Sequence, residues 1–430
     1  MLPGVLLILL ATLGTPLFIM FGGLAWWLFY AQGISPAALI IELYRLASAP
    51  TLVTIPLFTF AGYILAASRA PQRLVRCAQA LVGWLPGGLA LVALGSCAFF
   101  TAFTGASGVT IVALGGLLLP LLVRAQYPER FSLGLLTTCG SLGLLFPPSL
   151  PIILYGLVAQ TPIDLLFLAS FVPGMLLLIL LALWSMYQAR RHRVPLHHST
   201  WPEAWQATWA AKWELALPLF VLIGIYGGLL TVNEAAVVTA AYSLLVTVVI
   251  QRDLHVWRDL PTLMTESMLL VGAIVILLGT ALGLTSYIVD AQVPMHLLAA
   301  IRQYITSRTM FLLALNVLLL LVGCLMDIFS AILVVLPLIT PIAAQFGVHP
   351  LHLGVIFLTN LELGYSTPPI GLNLFLASLR FERPITELCR ASWPFMVLLL
   401  LALGLITYLP DLSLALVRWL GYAAHPILQR

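Results

Sequence analysis

The chain has 430 residues, 62% of them hydrophobic and only 8% charged, with a mean hydropathy of +1.09. A water-soluble globular chain carries roughly a quarter charged residues, so this composition excludes an ordinary soluble domain and points to a polytopic membrane protein. The net charge of +4 follows from topology, as argued below, and calls for no acidic or nucleic-acid partner.

The first apolar run, Leu2 to Tyr30, lacks a basic leader and is longer than the apolar core of a signal peptide, so it reads as a membrane helix over about 3–30. Further spans are expected at 51–67, 165–187, 213–230, 234–250, 262–288 and 391–409. Two more, at 131–159 and 350–378, are apolar but interrupted by Pro147-Pro148 and Pro368-Pro369. Proline lacks a backbone N–H and disfavours helix at the residue before it. The carbonyls of Gly143, Leu144, Gly364 and Tyr365 therefore lose their helical donors. Lipid tolerates such a break only where protein or an aqueous cavity surrounds it.

The stretches 89–123 and 309–343 break near their middles, at Thr104-Gly105-Ala106-Ser107-Gly108 and at Met326-Asp327-Ile328. With arms of roughly 15 residues, about 22 Å of helix, each reads as a re-entrant hairpin rather than two full crossings. On that scheme one face receives fourteen of the 19 Arg and Lys. The other receives only Arg45, Arg302, Arg308, Arg418 and Arg430. This positive-inside asymmetry places the mouth of the first hairpin in the cytoplasm and that of the second outside. Residues 188–212, with their His and Trp, read as a charged cytoplasmic loop.

The same landmarks recur at an offset of 221 residues: Gly143, Pro147 and Pro148 onto Gly364, Pro368 and Pro369, and Pro120 onto Pro341. Segments 69–87 and 290–308 are matching short amphipathic stretches. The expected fold is all-α: inverted-topology repeats, each with a re-entrant hairpin and a broken helix, of the kind found in secondary transporters. The first repeat covers 1–188, with its hairpin at about 89–123 and its broken helix at about 131–159. A connector at 189–212 and a linking helix at 213–230 follow. The second repeat covers 231–410, with its hairpin at about 309–343 and its broken helix at about 350–378. Residues 411–430 form a C-terminal tail.

Ionisable groups inside spans are costly and default to function. Asp327, at the second hairpin tip, is a candidate cation ligand, with a plain helix N-cap as the structural alternative. Glu362 is an intramembrane charge partner or an acceptor for backbone N–H groups. Thr104, Ser149, Ser366 and Asn373 offer side-chain oxygens or N–H groups where the helices open, and are the candidate substrate contacts. Half-helix N-termini there favour an anionic group, and released carbonyls favour a cation. The five cysteines show no pairing or metal spacing and read as small packing residues. There is no GxxxxGK[ST], no HExxH and no Cys/His cluster, so an ATP-driven motor or a metalloenzyme finds no support. An ion channel built on re-entrant loops, or a membrane-embedded hydrolase using Asp327 and Glu362, remains a formal alternative.

Several stretches resemble one family. They are Ile55-Pro56-Leu57-Phe58 with Gly62, Gly87-Gly88-Leu89-Ala90, Gly140-Ser141-Leu142-Gly143 running to Pro147-Pro148-Ser149, and Tyr155-Gly156. In the second half, Glu362-Leu363-Gly364 runs to Thr367-Pro368-Pro369 and Gly371-Leu372-Asn373-Leu374-Phe375. In order and over nearly the whole chain, these resemble the large membrane subunit of tripartite ATP-independent periplasmic (TRAP) transporters. The resemblance implies import of a small organic acid across the bacterial inner membrane, such as a C4-dicarboxylate or a sialic acid. It implies no cofactor beyond Na⁺ as coupling ion. It also implies a separate four-helix membrane subunit, a periplasmic substrate-binding protein and an elevator-type movement. Na⁺ sites around tips and breaks would here involve Gly105, Ser107, Gly143, Pro147, Asp327 and Thr367. The first tip often reads Ser-Gly-Ser-Ser in relatives, whereas here it is Thr104-Gly105-Ala106-Ser107, one hydroxyl fewer. A two-hairpin carrier working without a binding protein is the alternative within the transporter class.

Overall fold

The computed structural model describes residues 15–35, 37–196 and 200–421. Residues 3–14 of the first expected span, His197, His198, His425 and Arg430 lie outside the described residues. Among those described, the regular structure is helical throughout. Seven helices are long and apolar enough to cross a bilayer, and three bent pairs bring the number to as many as 10.

Two groups of helices pack around a continuous core. Leu17–Ala31, Thr54–Ala67, Val232–Ile250 and Leu260–Asp290 pack on one another. The hairpins and broken helices pack with Ile163–Arg191 and Ile385–Tyr408. The groups meet where Thr54–Ala67 lies against Gly88–Thr104. That contact needs a glycine: a Cβ on Gly62 would come within 2.6 Å of Thr104 Cα.

The first hairpin comprises Gly88–Thr104 and Ser107–Arg124, the second Arg308–Leu325 followed by Ile328–Val334 and Leu336–Gln345. Its arms are longer than the sequence reading allowed, at 17 and 18 residues in the first hairpin, or about 26 Å of helix. The helices run further into the tip than the sequence reading placed them, the first arm through Thr104 and the second from Ser107, and Pro120 and Pro341 sit inside helices. Arm length therefore carries no argument for re-entrance, which rests on the placement of Arg and Lys.

Three further differences have local causes. Residues 201–210 are not a loop but a helix, Trp201–Ala210, nucleated by the Thr200/Glu203 capping box with Pro202 in its first turn. It bends by 62° into Lys212–Tyr226, and Lys212 Nζ sits 3.7 Å above the Trp209 ring. A second helix, Ala37–Ala47, occupies a stretch with no expected element; its Arg45 pairs with Glu42 at 2.7 Å. The expected tail opens with helix Asp411–Trp419, whose Leu414 and Val417 are buried against Ile163–Arg191 and Pro350–Gly364.

The amphipathic helix Ala70–Val82 is pinned by Arg73. Its Nε donates to Glu214 Oε1 at 2.7 Å and its Nη2 to Asp253 Oδ2 at 2.7 Å. Burial alone would lower the Arg73 pKa, but the hydrogen bonds and charges of the two carboxylates outweigh it and raise it. Arg73 thus stays charged across any working pH.

Candidate functional site

Both breaks end in a cis bond, Pro147-Pro148 and Pro368-Pro369. Around the first, helix Glu129–Cys139 tightens into the 3₁₀ turn Leu142–Leu145 before Leu150–Val158 resumes, the two parts bent by 46°. Gly143 lies against the first hairpin, where a Cβ would come within 2.5 Å of Ala102 N and of Thr101 Cβ. The hairpin tip turns at Gly105, left-handed with φ +65°, against Leu150 on the far side of the break. Thr104 is buried as the last residue of the arm, its Oγ1 3.5 Å from Ala106 N. Ser107 opens the next arm, with its carbonyl facing Gly140. The first tip therefore sits astride the first break.

The second tip engages the second break in the same way. Ile328 N–H donates to Tyr365 Oη at 2.6 Å, and Gly371 N–H to Cys324 O at 3.2 Å. Asp327 caps Ile328–Val334: Oδ2 accepts from Phe329 N and Ser330 N, both at 3.0 Å, and Oδ1 from Ser330 Oγ at 2.5 Å. The capping geometry is thus present in full. Thr367 Oγ1 donates to Leu363 O at 2.9 Å. Asp327 and Thr367 bond within their own half, not with Gly105 or Ser107. What joins the halves is packing: Leu142–Leu145 lies on Pro350–Gly364, Leu150–Val158 on Ile328–Val334, and Gly108 on Leu376.

The carbonyls expected to be released are mostly occupied. Gly143 O accepts from Phe146 N at 3.0 Å, Gly364 O from Thr367 N at 2.9 Å and Tyr365 O from Asn373 N at 2.9 Å. The chain tightens to i→i+3 bonds or folds back, satisfying the acceptors that proline deprived. Each carbonyl keeps a second lone pair, so a ligand role is narrowed rather than removed.

The side chains behave differently. Ser107 Oγ, Ser149 Oγ, Ser366 Oγ and both terminal atoms of Asn373 are buried without a hydrogen-bond partner among the described residues. Native proteins leave few such groups, because each costs about 1–3 kcal/mol. Four such side chains, with five unpartnered atoms, lie on the two tip–break assemblies; their oxygens suit a cation and the Asn373 Nδ2 an acceptor on a solute. Pro147 and Pro148 are buried, whereas Pro368 and Pro369 are exposed. The polar cavity of about 610 Å³ lined by Arg45, Gln160, Asp164 and Asn233 lies elsewhere, and the candidate donor atoms are themselves buried. Sequence reasoning missed Thr101, one turn before Gly105, whose Oγ1 lies 2.7 Å from both Gly140 O and Thr110 Oγ1. It also missed Thr138, another buried hydroxyl without a partner. Their position one helical turn from Gly105 and from Leu142–Leu145 was the available signal.

The family described as the DctM component of the tripartite ATP-independent periplasmic transporter matches residues 4–412. The C4-dicarboxylate TRAP transporter large permease protein DctM of Pseudomonas aeruginosa is 34% identical, over 90% of this chain and 91% of its own. The isethionate TRAP transporter permease protein DctMQ of Oleidesulfovibrio alaskensis is 32% identical, over 84% of this chain and 57% of its own. Among solved structures, the YdaH transporter of Alcanivorax borkumensis shares the fold, with a TM-score of 0.59 and 17% identity over 90% of this chain and 88% of that one. With a match that spans nearly the whole chain and relatives of this identity, the chain belongs to the DctM family, the large membrane permeases of TRAP transporters.

Proposed function

We propose that this permease imports a small organic anion across a bacterial inner membrane, coupled to a Na⁺ gradient and supplied by a periplasmic substrate-binding protein. A separate four-helix subunit completes the membrane part. The observation that carries this reading is the set of unpartnered buried groups at Ser107, Ser149, Ser366 and Asn373. Na⁺ is held around Gly105, Ser107, Gly143, Pro147, Asp327 and Thr367, by hydroxyls, by the remaining carbonyl lone pairs and by the Asp327 carboxylate. Thr104, Ser149, Ser366 and Asn373 contact the substrate. The names of the relatives, with C4-dicarboxylate in one and isethionate in the other, suggest a carboxylate or a comparably small anion. The DctMQ name of the second supports a small membrane partner.

The two hairpins are re-entrant, the halves are inverted repeats, and the hairpin group moves as a body past the other helices. Charge placement and the 221-residue offset support this arrangement. Binding that differs between the two positions then shifts their populations. The test is reconstitution in liposomes with both partner chains and a panel of organic anions under an imposed Na⁺ gradient. Saturable uptake requiring Na⁺ and all three chains is expected. Uptake without the binding protein would favour an autonomous carrier, and unsaturable current would favour a channel.

A further inference from the structure

Glu362 is 1% exposed, and neither of its carboxylate oxygens has a hydrogen-bond partner among the described residues. It lies two residues before the end of Pro350–Gly364, where that helix enters the second break. The other buried acids are provided for: Glu214 and Asp253 share Arg73. Asp327, half-buried, accepts from three donors. Its helix is also firmly held. Asn360 Nδ2 donates to Asn316 Oδ1 at 2.7 Å, and His352 bonds Ser413 and Thr407.

Elements packed against this helix offer Glu362 no counter-charge. Tyr155 is the titratable group on Leu150–Val158, and Cys324 ends the arm Arg308–Leu325. Asp327 caps Ile328–Val334, while Leu142–Leu145 and Leu336–Gln345 carry no titratable side chain. On the remaining neighbours the charged groups sit at helix ends: Arg308, Asp164, Arg190 and Arg191, then Glu387 and Arg390, Asp411 and Arg418. Cys389, Tyr187 and Tyr408 lie near those ends. None bonds to Glu362. An isolated carboxylate in such surroundings takes a proton rather than stay ionised.

We propose that Glu362 is a proton-binding site of the transport cycle, a second coupled ion beside Na⁺. A carboxylate oxygen takes up a proton as O–H when the site closes. It gives that proton back to water when movement wets the second break, whose Pro368 and Pro369 are already exposed. This rests on the reading of the chain as an ion-coupled carrier.

The experiment uses the full complex in proteoliposomes under a Na⁺ gradient, with succinate and isethionate as probes and a pH-sensitive dye in the lumen. Wild type is expected to show a substrate-dependent change in lumen pH, and Glu362→Gln to bring that signal to the no-substrate baseline. The infrared band of a protonated carboxyl group is expected in the purified wild-type protein and lost in Glu362→Gln. Na⁺-driven uptake with no pH signal, or a tenfold shift in the Na⁺ requirement of Glu362→Gln in place of a lost pH signal, overturns the proposal and leaves the transporter reading intact. Absence of the infrared band overturns it whatever the probe. Absence of any Na⁺-driven uptake across the anion panel removes the transporter reading itself.

Discussion

The thiols of Cys97 and Cys139 meet at 3.1 Å, one on the first hairpin arm and the other at the end of the helix that leads into the first break. The sequence reading took both as packing residues, and both are buried in the core. Their approach makes a test of mechanism. Treatment with a membrane-permeable copper–phenanthroline oxidant is expected to couple them, with loss of two thiols by mass spectrometry. If the hairpin and the break travel as one body, uptake in the reconstituted complex stays within about twofold of the reduced protein. Abolished uptake, restored by dithiothreitol, would instead mean that the tip opens as a gate against the break.

Gly323 and Gly364 bring two helices into near contact, since a Cβ on Gly364 would lie 2.5 Å from Gly323 Cα. The clashing atoms are backbone and cannot swing aside. Gly364→Ala is expected to cost about 1–3 kcal/mol, as overpacking does. Gly404→Ala, in open space, is expected to be neutral or slightly stabilising, because alanine is the better helix former by about 1 kcal/mol. Thermal unfolding of the two variants in one detergent compares them directly, and equal midpoints would contradict the close approach.

Removing an unpartnered group should separate stability from function. In Ser149→Ala and Ser366→Ala the lost hydroxyl has no hydrogen bond to forfeit, so the melting temperature is expected to hold or rise. Relief of the desolvation cost, about 1–3 kcal/mol for such a group, is offset by the packing lost with the hydroxyl. Uptake by the same variants is expected to fall, with a tenfold rise in the substrate or Na⁺ concentration at half-maximal rate for a loss of about 1.4 kcal/mol. A drop in stability with unchanged uptake would assign these serines to packing.

Asp327 has a structural duty and a proposed ionic one, and two substitutions divide them. Asparagine remains a good N-cap, so Asp327→Asn is expected to stay folded while losing most Na⁺-dependent uptake. Asp327→Ala adds a capping loss of about 1 kcal/mol to the same functional defect. If Asn restored wild-type Na⁺ activation and Ala alone failed, the cap at Phe329 and Ser330 would be the whole role of this residue.

The breaks and tips were legible because they are written in residues with few options: paired prolines, and Gly105 at a positive φ. Helix Trp201–Ala210 was not, because its polar face and tryptophans resemble a loop composition until the Thr200/Glu203 box is noticed. The carbonyl partners were hidden for a different reason. Proline removes a donor, but the chain finds another by tightening, as Phe146 does for Gly143, or by folding back, as Asn373 does for Tyr365. Thr101 matters through the partners it finds in space, and Glu362, read from the sequence as a charge partner or backbone acceptor, is neither among the described residues, because burial without partners is a three-dimensional property. That Ser107, Ser149, Ser366 and Asn373 are buried without partners was foreshadowed only by their nearness to the tips and breaks.

The two proline pairs, alike in sequence, differ in what surrounds them: Pro147 and Pro148 are enclosed, and Pro368, Pro369 and Ile370 form part of the outer surface. A small thiol reagent would therefore find a cysteine at 370 and miss one at 147 in this conformation. If the proposed movement of the hairpin group exchanges the surroundings of the two breaks, the opposite labelling pattern is expected at its other end.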